Sequence, residues 1–173
     1  MFLLRGATVL LAASTLLAQS PFQPVPPAIS DTLSFRTPLA DFEAMDIAGK
    51  TWRLADLRGR LTVIDIWAVF CLPCREELPA VQNLYQEMGA NGKIQVLTFS
   101  LDRDPEITRS FMKEKGYTFP VIVDPDLEQR LFPQEGGIPK SWVIDRQGRR
   151  SEAFRAWTFG RIVMEVEKIA RGD

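Results

Sequence analysis

The run Leu61-Thr-Val-Ile-Asp65-Ile-Trp67 passes directly into Ala-Val-Phe-Cys71-Leu-Pro-Cys74-Arg75. Its first seven residues are β-branched and apolar apart from one acid and follow Gly59, the pattern of a central strand buried on both faces. Arg75 to Met88 then places Leu78, Val81, Leu84, Tyr85 and Met88 at three- and four-residue spacing. That spacing predicts an amphipathic helix, kinked at Pro79 and ended by Gly89 and Gly92. The two cysteines therefore fall where a buried strand gives way to a helix.

Outward from this stretch, strand and helix alternate. The sequence predicts a strand at Ile94–Leu101, a helix at Pro105–Lys115 with Asp104 as N-cap, and a strand at Phe119–Val123. A short helix at Leu127–Phe132 follows, then a turn at Gly136-Gly137 and a hairpin of Ser141–Ile144 with Glu152–Ala156 around Arg146-Gln-Gly148. A helix at Phe159–Ala170 closes the pattern. Upstream, Asp41–Leu54 reads as two short strands joined at Ala48-Gly49. This order predicts an α/β fold, a central mixed sheet flanked by helices.

With 173 residues, 46% hydrophobic and 25% charged, the chain suits one domain plus accessories, and its net charge of −1 leaves no basic footprint for nucleic acid. Histidine is absent, which excludes imidazole bases, Cys–His pairs and most mixed zinc sites. Arg5 followed by the apolar run Ala7–Ala18 reads as a signal peptide or N-terminal anchor over residues 1–20. No cysteine follows it to take a lipid, and an ordinary core helix fits poorly before so many prolines. Residues 21–37 are a proline-rich spacer and 38–173 the globular domain, placed in the periplasm or another extracytoplasmic space.

The C-x-x-C spacing alone admits a metal half-site, a structural crosslink or a redox pair. Zinc would need two carboxylates as its remaining ligands, and so short a loop constrains the unfolded chain little. Placement favours redox chemistry, because backbone N–H groups and the positive pole of a helix N-terminus stabilise a thiolate at Cys71. Cys71 is then the nucleophile and Cys74, one turn on, resolves the mixed disulfide. Pro73 suits the first helical turn, and Arg75, Glu76 and Glu77 read as ordinary first-turn charges.

Gly59 to Pro79 resembles the thioredoxin superfamily, and more narrowly its TlpA-like and ResA-like exported branch, whose fold is related to AhpC/TSA proteins. Ala48-Gly49-Lys50 with Leu54-Ala-Asp-Leu-Arg-Gly59 is similar to that branch's N-terminal β-hairpin. Gly137-Ile-Pro139-Lys-Ser-Trp-Val-Ile-Asp-Arg-Gln-Gly148 is similar to its cis-proline loop and following strand. The resemblance implies a thioredoxin fold with an N-terminal hairpin extension and thiol–disulfide oxidoreductase chemistry on a redox-active Cys71–Cys74 disulfide; cysteine placement and the targeting segment lead to the expectation of an exported reductase, although the Leu72-Pro73 pair does not settle the direction of electron flow. The resemblance implies no cofactor or metal, protein partners carrying a disulfide or dithiol, a membrane electron donor and a monomer.

The resemblance also implies a cis Pro139, with the backbone at Ile138 free to pair with a bound peptide. Asp65 takes the place of the proton acceptor for Cys74 in thioredoxins proper, where exported relatives often carry an amide. Trp67 and Phe70 are expected to shape the apolar surround of a bound substrate, although core packing explains Trp67 nearly as well. Lys140 departs from the acid or small hydroxyl residue usual in this branch; it either favours a Cys71 thiolate or is simply solvated. Two other functions share the fold: a peroxiredoxin, whose usual threonine is replaced here by Ala68, and a non-enzymatic module that binds peptide at Ile138-Pro139.

Overall fold

The structure, a computed structural model, describes residues 37–89, 92, 94–133, 137–151, 154–155, 160, 162–164 and 166. The expected targeting segment 1–20, the spacer up to residue 36, Gly136, the ends of Glu152–Ala156 and most of the closing helix lie outside those residues.

The elements in chain order are β1 (Thr37–Pro38), β2 (Glu43–Met45), β3 (Thr51–Arg53), α1 (Leu54–Leu57), β4 (Leu61–Trp67) and α2 (Leu72–Leu84). A π-helical turn at Tyr85–Gly89 leads to β5 (Ile94–Ser100), α3 (Pro105–Lys115), β6 (Val121–Val123), α4 (Pro125–Leu131), β7 (Lys140–Ile144), β8 (Arg149–Arg150) and β9 (Phe154–Arg155). The main sheet has the order β1-β8-β7-β4-β5-β6, with β9 also on β7. β4 runs parallel to β5 and antiparallel to β7. β2 and β3 form the separate hairpin that the sequence predicts.

Several boundaries move for local reasons. α2 begins at Leu72 rather than Arg75, because Cys71 itself is the N-cap and Pro73 fits the first turn; its C-terminal end passes into the π turn. α4 begins at Pro125, two residues early, because the Asp124 carboxylate accepts from Leu127 N–H at 2.9 Å. The described part of the predicted Glu152–Ala156 strand, β9, pairs antiparallel with β7 as the hairpin requires, and a further short strand, β8, precedes it, with Ser151 N–H donating to Val143 O at 2.8 Å.

Alternation along β4 divides the core. Leu61, Val63 and Trp67 enter one layer with Cys71, Cys74, Leu78 and Val81 of the α2 side. Ile64 and Ile66 enter the other with Leu127, Leu131, Phe132 and Trp142. Val63, Ile64, Ile66 and Trp67 are fully buried, and each contributes roughly 1.5–3 kcal/mol by leaving water. By the same alternation Asp65 faces the cysteine layer. β4 thus delivers the cysteines to the C-terminal end of a buried interior strand.

Candidate active site

β4 ends where Leu101 N–H donates to Trp67 O at 2.9 Å, and the chain leaves the sheet at Ala68. The next four residues form a turn closed by Cys71 N–H donating to Ala68 O at 3.1 Å. The turn carries Phe70 outward, 74% exposed, and sets Cys71 at the N-cap of α2. Cys71 and Cys74 are joined by a disulfide with their Cα atoms 5.3 Å apart. Cys71 keeps the more accessible sulfur-bearing residue, 7% exposed against 1% for Cys74.

The Cys71 sulfur accepts from Cys74 N–H at 3.2 Å and lies 3.7 Å from Ile138 O. The first contact would stabilise a thiolate; the carbonyl lone pairs at the second would oppose one. The Ile138–Pro139 peptide is cis, and the loop bearing it borders Cys71. Phe70 and Leu72, the latter 67% exposed, flank the cysteine with apolar surface.

Asp65 is buried in β4, opposite Ser141 of β7. Its Oδ1 accepts from Ser141 Oγ at 2.9 Å. Burial raises its pKa to about 7, the Ser141 hydrogen bond draws it partly back, and the nearby Glu77 carboxylate adds to the rise. A carboxyl group with that poise can exchange a proton near neutral pH.

Two of the residues expected around a bound substrate sit elsewhere. Trp67 is fully buried, and its indole N–H donates to Thr98 Oγ1 at 3.1 Å, so it packs behind the site as core. Lys140 is neither solvated nor directed at Cys71. Its ammonium group lies 2.9 Å from Glu128 Oε1 in the opposite core layer, 5.5 Å from the centre of the Trp142 ring. Strand alternation explains this, because Lys140 and Ser141 are adjacent in β7 and must point to opposite faces. Sequence reasoning did not single out Ser141, Glu128 or Asp102, whose partners lie on other elements. Among the described residues no group of three or more His, Cys, Asp or Glu could hold a metal ion.

The AhpC/TSA family profile matches residues 36–149. The thiol-disulfide oxidoreductase ResA of Oceanobacillus iheyensis is 30% identical over 135 residues, 75% of this chain and 70% of the relative. The thiol-disulfide oxidoreductase ResA of Bacillus cereus is 28% identical over 109 residues, and the match spans 63% of this chain but only 62% of the relative's length. Among solved structures, the exposed lipoprotein thioredoxin of Streptococcus pneumoniae superposes with a TM-score of 0.65 at 26% identity, covering 75% of this chain and 99% of that one. The fold is the thioredoxin fold.

Proposed function

Because the chain belongs to the AhpC/TSA family, we propose that it is an exported thiol–disulfide oxidoreductase that reduces disulfides in protein partners through Cys71 and Cys74. The observation that carries the proposal is the Cys71 sulfur, held at the N-cap of α2 and bordered by the cis-proline loop at Ile138. ResA relatives named for this activity support it.

In the reduced protein the Cys71 thiolate attacks one sulfur of a partner's disulfide. The partner's S–S bond breaks, its second sulfur leaves and takes a proton, and Cys71 is joined to the partner as a mixed disulfide. Cys74 passes its thiol proton to the Asp65 carboxylate and attacks Cys71. The mixed bond breaks, the partner leaves with two thiols, and two electrons have moved from the Cys71–Cys74 dithiol to the partner. The structure is the oxidised end of that cycle. An external dithiol, such as a membrane electron donor, then restores the pair by the same exchange.

In the reducing direction, the Ile138 carbonyl beside the Cys71 sulfur offsets part of the stabilisation that Cys74 N–H and the α2 N-terminus offer a thiolate. Strongly oxidising members of this fold depend on a much more stabilised thiolate. Phe70, Leu72 and Ile138 supply the surface for an extended partner segment. Residues 1–20 direct export, 21–37 act as a spacer, and the domain works as a monomer outside the cytoplasm; the exposed lipoprotein among its structural neighbours is consistent with that placement.

Reduction of insulin disulfides by the full chain, with dithiothreitol as the electron source, tests the reading. Cys71→Ser abolishes turnover; a Cys71→Ser protein that still reduces insulin overturns it. Peroxide reduction faster than disulfide exchange would favour the peroxiredoxin alternative, although Ala68 offers no hydroxyl at the position that chemistry usually uses.

A further inference from the structure

Resting on that reading, we infer that Asp102 is a positioning residue: its buried carboxylate pins the Ala68–Cys71 turn and so fixes the direction in which Cys71 meets a partner. Asp102 lies just beyond the end of β5 and is 5% exposed. Val69 N–H donates to it, 3.0 Å from Oδ2 and 3.3 Å from Oδ1. Ser100 Oγ and Thr108 Oγ1, both fully buried, donate to Oδ2 at 2.7 and 3.0 Å. Asp102 N–H closes the cluster by donating to Ser100 Oγ at 3.1 Å. The acid is therefore anchored to β5 and α3 by hydroxyls on one side and grips the turn on the other.

Two observations separate this from routine capping. The N-cap of α3 is Asp104, whose carboxylate accepts from Glu106 N–H at 2.9 Å, so Asp102 is not used to start that helix. Val69 occupies the second position of the turn, past the last β4–β5 ladder bond at Trp67, where its N–H has left the sheet. A half-buried hydrogen bond to a carboxylate at that point is a strong restraint on the turn. Its loss would let Phe70 and Cys71 rotate together, and small misplacement of a reacting atom is costly in rate.

The test uses the full chain and two readouts, insulin reduction and hydrogen exchange at the Val69 amide. Asp102→Ala slows reduction about tenfold, mainly in kcat, and speeds Val69 exchange at least about tenfold. Asp102→Asn, whose Oδ1 still accepts from Val69, returns reduction to within about threefold of the parent while keeping the fold if the alanine variant does not. Leu131→Ala, a destabilising change in the opposite core layer, lowers Tm without altering exchange at Val69 or the rate per folded molecule. Parental rates and parental Val69 exchange in both Asp102 variants overturn the inference, as does an equal slowing by Leu131→Ala. Absence of insulin reduction in the parent refutes the proposed function instead, and the Val69 readout still decides the role of Asp102.

Discussion

Adjacent residues of β7 meet two buried acids on opposite faces of the sheet, and the two encounters have opposite outcomes. Lys140 reaches Glu128 at 2.9 Å, and the charges cancel within the layer of Trp142 and Phe132. Asp65 meets only a hydroxyl, Ser141 Oγ at 2.9 Å; burial in the cysteine layer raises its pKa to about 7, and that hydrogen bond draws it back only in part. A paired charge is spent on structure, whereas an unpaired one near neutrality can carry a proton. On one face the acid is held by a lysine of the strand that follows the cis-proline; on the other it lies in the cysteine layer with its pKa near neutrality.

The largest effect comes from breaking the paired face. Glu128→Ala leaves the Lys140 ammonium buried alone and costs about 3–5 kcal/mol, read as a drop in Tm or denaturant midpoint. The joint change Glu128→Gln with Lys140→Met removes both charges and stays within about 1 kcal/mol of the parent. Exchange activity per folded molecule is unchanged in the joint variant. A single variant as stable as the parent would show that the pair contributes nothing.

On the other face the sign reverses. Asp65 holds its proton to about pH 7 when folded but only to about 3.8 when unfolded, so folding is disfavoured by its ionisation. This group's contribution is most favourable below about pH 4 and is progressively lost up to about pH 7, by at most about 4 kcal/mol. Asp65→Asn therefore melts above the parent at pH 8, and the gap closes towards pH 4. In the same variant disulfide reduction loses its rise through neutral pH. A constant gap between the two melting curves would mean that Asp65 does not titrate in this range.

The smallest effect sharpens the comparison further. Ser141→Ala removes the hydrogen bond that holds the Asp65 pKa down, so the titration midpoint followed by carboxyl NMR moves upward. The stability cost is about 1 kcal/mol. An unmoved midpoint would show that Ser141 does not set the poise of Asp65.

What could be read from the sequence was whatever lay in one continuous stretch. β4 was legible because six of its seven residues are apolar or β-branched, and the cysteines because they follow that run at a helix start. Asp65 stood out as an acid inside the strand, and the cis Pro139 only through the resemblance of its loop to the family's. The pair Asp124-Pro125, an N-cap acid before a first-turn proline, is the sequence signal that places the start of α4 two residues before Leu127. Lys140 was misplaced because its partner Glu128 belongs to a helix twelve residues earlier, and no local pattern joins them. Asp102 was hidden for the same reason: its three donors come from a turn, a strand end and a helix. Trp67 was half-read, since periodicity shows that it is buried but not that Thr98 holds its indole.

Trapping the intermediate tests the central claim most directly. Reduced Cys74→Ser protein is mixed with a peptide holding one disulfide, and the product is mapped by mass spectrometry. A stable mixed disulfide on Cys71, absent when Cys71 is also replaced, is the expected result. No adduct at Cys71, or a Cys71→Ser protein that couples to the peptide through Cys74 at the same rate, would contradict it.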